Sequence, residues 1–236
     1  MTIANITAEF AEKSGFHLKK EQIEKLDLYA EMLLEWNEKI NLTAITDSEG
    51  IAIKHFYDSL TPLWYLNIPK NVRVIDVGTG AGFPSIPMAI VRPDLRFTLL
   101  DSLNKRLNFL NEVCTRLDIS AELVHMRAED AAQKAEYRES FDVAVSRAVA
   151  ALPVLCEYCI PFVRKNGMFI AMKGSKAEEE LEISKNAVST LGAAVEKTVK
   201  INLPDDSERN IIVIRKKNYT PKEYPRHGSK IAKKSL

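Results

Sequence analysis

The sequence has few cysteines, no long apolar run and almost no net charge, and each absence excludes a class of protein. Cysteine occurs only three times in 236 residues, a small and odd number that does not suit a secreted disulfide scaffold. No uninterrupted apolar run approaches the length of a membrane-spanning helix, and no basic and then apolar leader opens the chain. We therefore expect a soluble, cytoplasmic protein without membrane association.

Two of the cysteines, Cys156 and Cys159, have the spacing of half a zinc site. A tetrahedral structural site needs four ligands, and neither a second cysteine pair nor nearby histidines accompany this one. The pattern favours packed core thiols, and we expect no metal.

The charge of the chain is small overall but unevenly distributed. The formal net charge is +1, whereas residues 215–236 hold eight Lys or Arg against the single acid Glu223, a local charge of +7. A basic C-terminal tail of residues 217–236 suits contacts with RNA phosphates. A solvated, disordered tail is the alternative.

The distribution of apolar residues predicts helices first and then a βαβ series. Residues 1–66 have a helical pattern, with apolar side chains at three- and four-residue steps in the stretch 20–40 and a second helix near 50–66. Strand-like and helical segments then alternate, which is typical of a parallel sheet. The strand-like runs are 72–77, 96–101, 121–125, 141–146 and 167–172, and the helical stretches are 84–91, 104–117, 130–137, 150–163 and 177–191. Two last apolar runs, 193–203 and 209–215, predict an antiparallel hairpin.

Three glycines spaced by two, Gly78, Gly80 and Gly82, follow the first strand. Glycine permits strained backbone angles and the close approach of a ligand. A dinucleotide fingerprint needs glycines at relative positions 1, 3 and 6, but Phe83 occupies the sixth place. Asp76 precedes the turn and can accept hydrogen bonds from the loop or from a cationic ligand. This arrangement favours S-adenosylmethionine as the cofactor; an ordinary glycine-rich loop is the alternative.

The glycine turn and the terminal hairpin together predict an α/β fold of the class I S-adenosylmethionine-dependent methyltransferase type. This fold is a Rossmann-like seven-stranded sheet ending in an antiparallel hairpin, here preceded by helices; the family resemblance described below implies that these helices form an N-terminal cap. We divide the chain into the cap at 1–66, a methyltransferase domain at 67–216 and the basic tail at 217–236.

Ligands of open α/β sheets bind outside the carboxyl ends of the strands, so the residues that follow each strand are candidates. Asp101 ends the second strand and can accept the ribose hydroxyls; a helix N-cap with Ser102 is the alternative. Ala128 and Glu129 follow the third strand and are candidates for the adenine contact. Their alternative is that Glu129 and Asp130 favour the start of the next helix.

The fourth and fifth strands end in basic residues, Arg147 and Lys173. Arg147 can face both cofactor and substrate, and an ion pair with a neighbouring acid is the alternative. We take Arg147 and Lys173 as candidate catalytic residues. His55 and Asp58 form either an acid–base pair or a hydrogen bond on a helix surface.

The absence of two motifs reduces the set of possible methyl acceptors. The fourth strand is followed by Ser-Arg-Ala-Val at 146–149 instead of the Asn/Asp-Pro-Pro-Tyr/Phe element of exocyclic-amine methylation, and no Pro-Cys pair supports C5-pyrimidine chemistry. Guanine N7 fits, because its lone pair is free and catalysis reduces to alignment and electrostatics. Arginine reads the guanine edge well, and O6 or a phosphate is its plausible partner because a donor on N7 would block attack.

Several motifs together resemble the glucose-inhibited division protein B family, the small-subunit (16S) rRNA guanine-N7 methyltransferases of bacteria. The resemblance covers nearly the whole chain. It rests on the segments 41–43, 55–60, 76–84, 100–106, 127–129, 146–148, 173–174 and 224–226. Beyond residue 226 the chain departs from the ending of long-tailed members.

This resemblance implies methylation of a specific guanine in a conserved loop near the decoding centre. It implies 16S rRNA or the small ribosomal subunit as partner, and we expect a monomer. It also implies cofactor contacts from Gly78, Phe83, Ala128, Glu129 and Arg147. A small-molecule methyltransferase and a non-catalytic ribosome assembly factor remain alternatives, and Phe83 makes a nicotinamide oxidoreductase the least favoured.

Overall fold

Seven strands form one mixed sheet with helices packed on both faces. The computed structural model describes residues 1–147 and 149–236, so Ala148 of the Ser-Arg-Ala segment lies outside the described residues. The strands are β1 Arg73–Val77, β2 Arg96–Asp101, β3 Ala121–His125, β4 Phe141–Arg147, β5 Val163–Lys173, β6 Ala193–Asn202 and β7 Glu208–Lys216. Their order across the sheet is β3-β2-β1-β4-β5-β7-β6.

The pairing of the strands confirms the predicted sheet. β1 pairs in parallel with β2 and β4, β2 with β3, and β4 with β5. β7 runs antiparallel to both β5 and β6. The inner strands are apolar on both faces because helices cover both sides, and successive residues of β1 enter opposite core clusters.

The helices flank the sheet and precede it. They are α1 Ile3–Lys13, α2 Lys20–Ile40, α3 Ser48–Gly50, a π-helix Ile51–Tyr57, α4 Asp58–Tyr65, α5 Ser85–Val91, α6 Asn104–Leu117, α7 Ala128–Ala131, α8 Leu152–Cys159, a 3₁₀-helix Ile160–Phe162, α9 Ala177–Ile183, α10 Lys185–Thr190 and α11 Gly228–Lys233. The bounds of α2 and α6 are the predicted ones.

Four predicted helices differ from the observed ones. The helix expected at 150–163 is α8 followed by the 3₁₀-helix Ile160–Phe162, and residue 163 already begins β5. The helix expected at 130–137 is the four-residue α7, because residues 133–136 are exposed and bury no apolar side chain that would extend it. The helix expected at 177–191 divides into α9 and α10 at Ser184, whose hydroxyl donates to the Glu180 carbonyl. The helix expected at 50–66 has π geometry over its first half.

The N-terminal helices share a hydrophobic core with one face of the sheet. Tyr29 and Leu33 of α2 are buried in the same cluster as Val74 of β1 and Phe109 of α6. The Tyr29 hydroxyl donates to the Ala81 carbonyl in the glycine turn. Residues 1–66 therefore support the turn directly, and their assignment as a separate cap stays a prediction.

The C-terminal tail, residues 217–236, packs on α7 and α8. Arg138 donates to the carbonyl oxygens of Thr220, Pro221 and Tyr224, at 2.8 to 3.1 Å. Ile231 of α11 is buried. These contacts hold the tail against the body of the molecule, unlike the disordered alternative.

None of the helices in the described ranges 1–147 and 149–236 is both long and apolar enough to cross a bilayer. No group of three or more His, Cys, Asp or Glu side chains in these ranges is arranged to hold a metal ion. The three cysteines are buried free thiols, as the pattern of core thiols predicts.

Candidate cofactor and acceptor site

A cleft of about 500 Å³ opens at the carboxyl ends of β1, β2 and β4. The predicted cofactor residues that line it are Gly78, Gly80, Phe83, Asp101, Ala128, Glu129 and Arg147. A larger cavity of about 730 Å³ lies by the amino ends of β1, β2 and β3, away from the glycine turn. We assign ligand binding to the smaller cleft, because open α/β sheets bind ligands at the carboxyl ends of their strands.

The glycine turn is shaped by positive φ angles of 73° at Gly78, 61° at Gly80 and 98° at Gly82. A Cβ at Gly78 would lie 2.7 Å from the Val149 side chain, and one at Gly82 would lie 2.6 Å from Ile86. Any side chain at these two positions would therefore meet its neighbours, and the positive φ strains it further. The turn keeps the backbone open toward the cleft.

Asp76 lies beneath the turn and supports it. Its Oδ2 accepts a hydrogen bond of 2.8 Å from the Thr79 hydroxyl. Its Oδ1 is buried and has no hydrogen-bond partner among the described residues. Burial raises the pKa of Asp76 to about 7. The loop contact that we expected for this residue is present, and the free oxygen is an acceptor still without a donor.

Asp101 connects the second strand to the glycine turn. Its Oδ2 accepts from the Gly80 amide at 2.9 Å and from Arg106 Nη1 at 3.3 Å, and its Oδ1 accepts from the Leu103 amide at 2.9 Å. The last contact is made to the amide of Leu103, which is itself the N-cap residue of α6, and no side chain among the described residues caps this helix. The N-cap alternative for Asp101 with Ser102 is therefore wrong. The carboxylate also borders the cleft, and its contact with a ribose stays a prediction.

Ala128 and Glu129 begin α7 on the far wall of the cleft. Glu129 is buried, and its Oε1 lies 3.9 Å from Arg127 Nη1. Tyr158 of α8 lines the same wall. This end of the cleft therefore combines an aromatic ring, a backbone turn and a carboxylate, which suits the adenine contact predicted there.

Arg147 lies between this cleft and a second cavity. Its Nη1 donates to Asp58 Oδ2 at 2.9 Å and to the Lys54 carbonyl at 3.1 Å. Its guanidinium lies 5.0 Å from the centre of the Phe83 ring, on which the His55 ring also stacks at 4.4 Å. The predicted ion pair is present, and it fixes Arg147 at the junction of the two cavities.

The second cavity has a volume of about 490 Å³ and shares His55 and Arg147 with the cleft. Lys173, the second predicted catalytic residue, lines it. The Lys173 ammonium donates to the Ala150 carbonyl at 2.9 Å and pairs with Glu180 at 2.7 Å. These contacts hold Lys173 at the rim, and its catalytic role stays a prediction.

His55 and Asp58 do not bond to each other. His55 Nε2 lies 2.7 Å from the Thr43 hydroxyl, while Asp58 Oδ2 accepts from Arg147 and Arg209. Burial, followed by the charge of Arg147, lowers the pKa of His55 to about 4. His55 is therefore neutral at pH 7, and the suggested acid–base pair is not formed.

Some residues of the site were missed by sequence reasoning. They are Tyr29 of α2, Thr43 of the loop that follows α2, and Arg209 of β7. Tyr29 belongs to an apolar helical stripe, which predicts core packing and gives no sign of its hydroxyl contact. Arg209 comes near the site only because β7 pairs with β5, with Asn210 opposite Lys173.

The strand order, the terminal antiparallel pair and the glycine turn define the class I methyltransferase fold. A solved structure of similar fold is precorrin-6y C5,15-methyltransferase from Geobacter metallireducens, with a TM-score of 0.50 and 15% sequence identity. The match covers 67% of this chain and 87% of that one, and it bears on the fold alone.

The chain belongs to the rRNA small subunit methyltransferase G family, whose model matches residues 22–212. A protein named ribosomal RNA small subunit methyltransferase G from Oceanobacillus iheyensis is 49% identical over 91% of each chain. A protein of the same name from Acetivibrio thermocellus is 50% identical, over 100% of this chain and 98% of its own. The resemblance given by the motifs is thereby confirmed.

Proposed function

We propose that this protein transfers the methyl group of S-adenosylmethionine to N7 of a specific guanine in 16S rRNA. Family membership supports an rRNA of the small subunit as substrate. The observation that carries the chemistry is the meeting of two cavities, of about 500 and 490 Å³, at Arg147 and His55. One cavity suits a nucleoside cofactor and the other suits a planar base.

The residues of the first cavity fit S-adenosylmethionine. A Cβ at Gly78 would meet the Val149 side chain, so the turn that borders the cavity requires glycine at this position. Asp76 and Gly82, which were also expected to contact the cofactor, do not line this cavity, so we assign them to the shape of the turn, where Asp76 accepts from the Thr79 hydroxyl. We assign the cofactor contacts to Gly78, Gly80, Phe83, Asp101, Ala128, Glu129 and Arg147. When bound, S-adenosylmethionine supplies an electrophilic methyl group on a sulfonium.

The protein's own residues align and hold the acceptor. Arg147, fixed by Asp58, donates to guanine O6 or to a phosphate and leaves N7 free. His55 is neutral and stacked, so it excludes water without adding charge. No base is required, because N7 loses no proton when it is methylated. Lys173, at the rim of the second cavity, adds positive charge that attracts the anionic RNA.

The C-terminal tail contributes positive charge to RNA binding. Lys230, Lys233 and Lys234 of the tail are exposed on or beside α11. Because each phosphate contact releases counterions, their contribution falls as salt rises. We retain the division into cap, methyltransferase domain and tail, and we propose that the protein acts as a cytoplasmic monomer on rRNA or on the small subunit.

A methyl-transfer assay with radiolabelled S-adenosylmethionine tests this function. The purified protein is incubated in parallel with RNA from cells lacking the protein and with a protein-free metabolite extract. We expect label in RNA and none in the extract. Label only in small molecules would establish the alternative methyltransferase, and cofactor binding without any transfer would favour an assembly factor.

A further inference from the structure

The C-terminal tail is fastened to α8 by a buried ion pair. Glu157 is fully buried, with its Oε1 accepting from the Arg226 amide at 2.8 Å and from Arg226 Nε at 2.9 Å. Its Oε2 accepts from Arg226 Nη2 at 2.7 Å. The same Nη2 donates to the Lys234 carbonyl at 3.0 Å, which ties the end of α11 to this anchor. Replacement of Arg226 alone would leave the buried Glu157 carboxylate without its cation, which is costly.

This docking brings Gly228, the first residue of α11, against Glu129. A Cβ built at Gly228 would lie 2.2 Å from Glu129 Oε1 and 3.1 Å from its Cδ. Glu129 therefore has the tail backbone on one side and the cofactor cleft on the other. The Gln133 side chain donates to the Pro225 carbonyl at 2.9 Å and fixes the segment just before this contact.

We propose that the docked tail positions Glu129 for cofactor binding, which makes Gly228 and the Arg226–Glu157 pair positioning residues of the adenosyl pocket. The proposal rests on the proposed function, because it takes Glu129 as a cofactor contact. The same short segment carries the exposed lysines Lys230 and Lys233. The tail then contacts both the RNA, through these lysines, and Glu129, which holds the cofactor. If RNA binding changes the affinity for the cofactor, cofactor binding changes the affinity for RNA by the same factor.

The substitution Gly228→Ala tests this proposal with little expected effect on folding. The added methyl group meets the far end of a flexible side chain, so the Glu129 carboxylate can move aside. Isothermal titration with S-adenosylhomocysteine measures the consequence without RNA. We expect roughly tenfold weaker binding, the scale of one displaced hydrogen bond to a charged group. The melting temperature of the free protein should stay within about 2 °C of the wild type.

Two controls separate positioning from general disturbance. Ala232→Ser adds one heavy atom at an exposed position of the same helix and should leave the affinity unchanged. In a Glu129→Ala background, Gly228→Ala should have no further effect, since the group that it displaces is gone. In turnover, Gly228→Ala should raise KM for S-adenosylmethionine and leave kcat at saturation unchanged.

Equal S-adenosylhomocysteine affinity in folded Gly228→Ala and wild type would overturn the proposal. An additive loss in the Glu129→Ala background would do the same. Failure of the wild type itself to bind would contradict the proposed function instead. If Gly228→Ala does not fold, amide hydrogen exchange of residues 226–234 in the wild type tests the proposal instead. We expect slower exchange in the presence of S-adenosylhomocysteine than in its absence. Unchanged exchange would overturn the proposal.

Discussion

Arg147 joins groups that lie far apart in the sequence. Its guanidinium contacts the Lys54 carbonyl, the Asp58 carboxylate and the Phe83 ring, and these come from the π-helix, α4 and the glycine turn. The sequence left two alternatives for Arg147: a side chain that faces both cofactor and substrate, or an ion pair with a neighbouring acid. In the structure they are compatible, because one carboxylate holds the side chain at the place where the cavities meet.

Replacement of Arg147 separates its electrostatic role from its structural one. We predict that Arg147→Ala lowers methyl transfer by at least about 100-fold, the scale of one lost transition-state donor. It should also cost on the order of 2–3 kcal/mol of unfolding free energy, because Asp58 loses its nearest cation. Turnover and denaturant unfolding measure the two effects.

A second variant and a surface control separate the loss of activity in Arg147→Ala from its loss of stability. Arg147→Ala combined with Asp58→Asn should recover part of the stability, since the buried carboxylate is neutralised, and should stay inactive. Arg164→Ala removes an exposed arginine paired with Asp142 and should change stability by less than about 1 kcal/mol. Near-normal turnover of Arg147→Ala would assign the arginine to structure alone.

His55 makes stability depend on pH in a defined direction. Burial lowers the pKa of His55 to about 4 in the folded protein from the ordinary histidine value of 6.5, so the unfolded chain binds more protons between these values. The free energy of unfolding should therefore fall as pH drops below about 6.5. We predict a loss from this group of about 2 kcal/mol between about pH 7.5 and about pH 5.

The comparison of wild type with His55→Gln isolates this loss from other titrating groups. Denaturant unfolding of both proteins at the two pH values gives the difference directly. The wild type should lose more stability on acidification than His55→Gln by that amount. Equal losses would mean that His55 is solvated and protonates in the folded state.

At the scale of elements, the strands were predictable and some helices were not. β1, β2 and β4 are buried apolar runs bounded by polar residues, so their positions follow from composition. β5 begins at Val163 instead of residue 167, because it includes the exposed Arg164, Lys165 and Asn166, which no apolar pattern marks. The early end of α7 depends on the lack of anything for residues 133–136 to pack against. The π geometry at Ile51–Tyr57 has no local signal, although such segments often occur at functional sites, and this one contains Lys54 and His55.

The residues of the candidate site were predictable where they lie at or just after the end of a strand. Asp101, Glu129 and Arg147 were found because the carboxyl ends of parallel strands meet at one edge. Tyr29 and Arg209 were not found, because their contacts depend on how distant elements pack. The docked tail was missed for the same reason: the Arg226–Glu157 pair joins residues that no local pattern connects.

The tail lysines should contribute to RNA affinity through charge. We predict that the triple substitution Lys230→Gln, Lys233→Gln and Lys234→Gln weakens binding of small-subunit rRNA more at low salt than at high salt. Each lost phosphate contact should reduce the slope of log K against log salt by about 0.7 to 0.9. Filter binding across a salt series measures this slope. These variants are preferable to deletion of residues 217–236, which would also remove Arg226, the ion-pair partner of Glu157.

A matched triple variant at the opposite edge of the sheet provides the control. Lys19, Lys20 and Lys25 lie on or beside α2, and Lys19 and Lys25 line the cavity at the amino ends of the strands. Their replacement by Gln removes the same charge and should leave the salt slope unchanged. Equal slopes for the tail variant and the wild type would remove the tail from RNA binding.

For the whole molecule, the cofactor cleft is bordered by segments from both ends of the chain. The N-terminal helices support the glycine turn through Tyr29, and the C-terminal tail lies behind Glu129. The sheet between them fixes the strand ends that carry Asp101 and Arg147. Fold alone does not name a reaction, so the assignment of chemistry depends on the two adjoining cavities and on family membership.

The most direct test of this account is mass spectrometry of 16S rRNA after digestion with nuclease. Small subunits from cells lacking the protein are incubated with S-adenosylmethionine, with or without the purified enzyme. We predict that one guanosine gains a single methyl group and has the chromatographic and fragmentation properties of 7-methylguanosine. A methyl group on another atom or base, or no gain at all, would contradict the account.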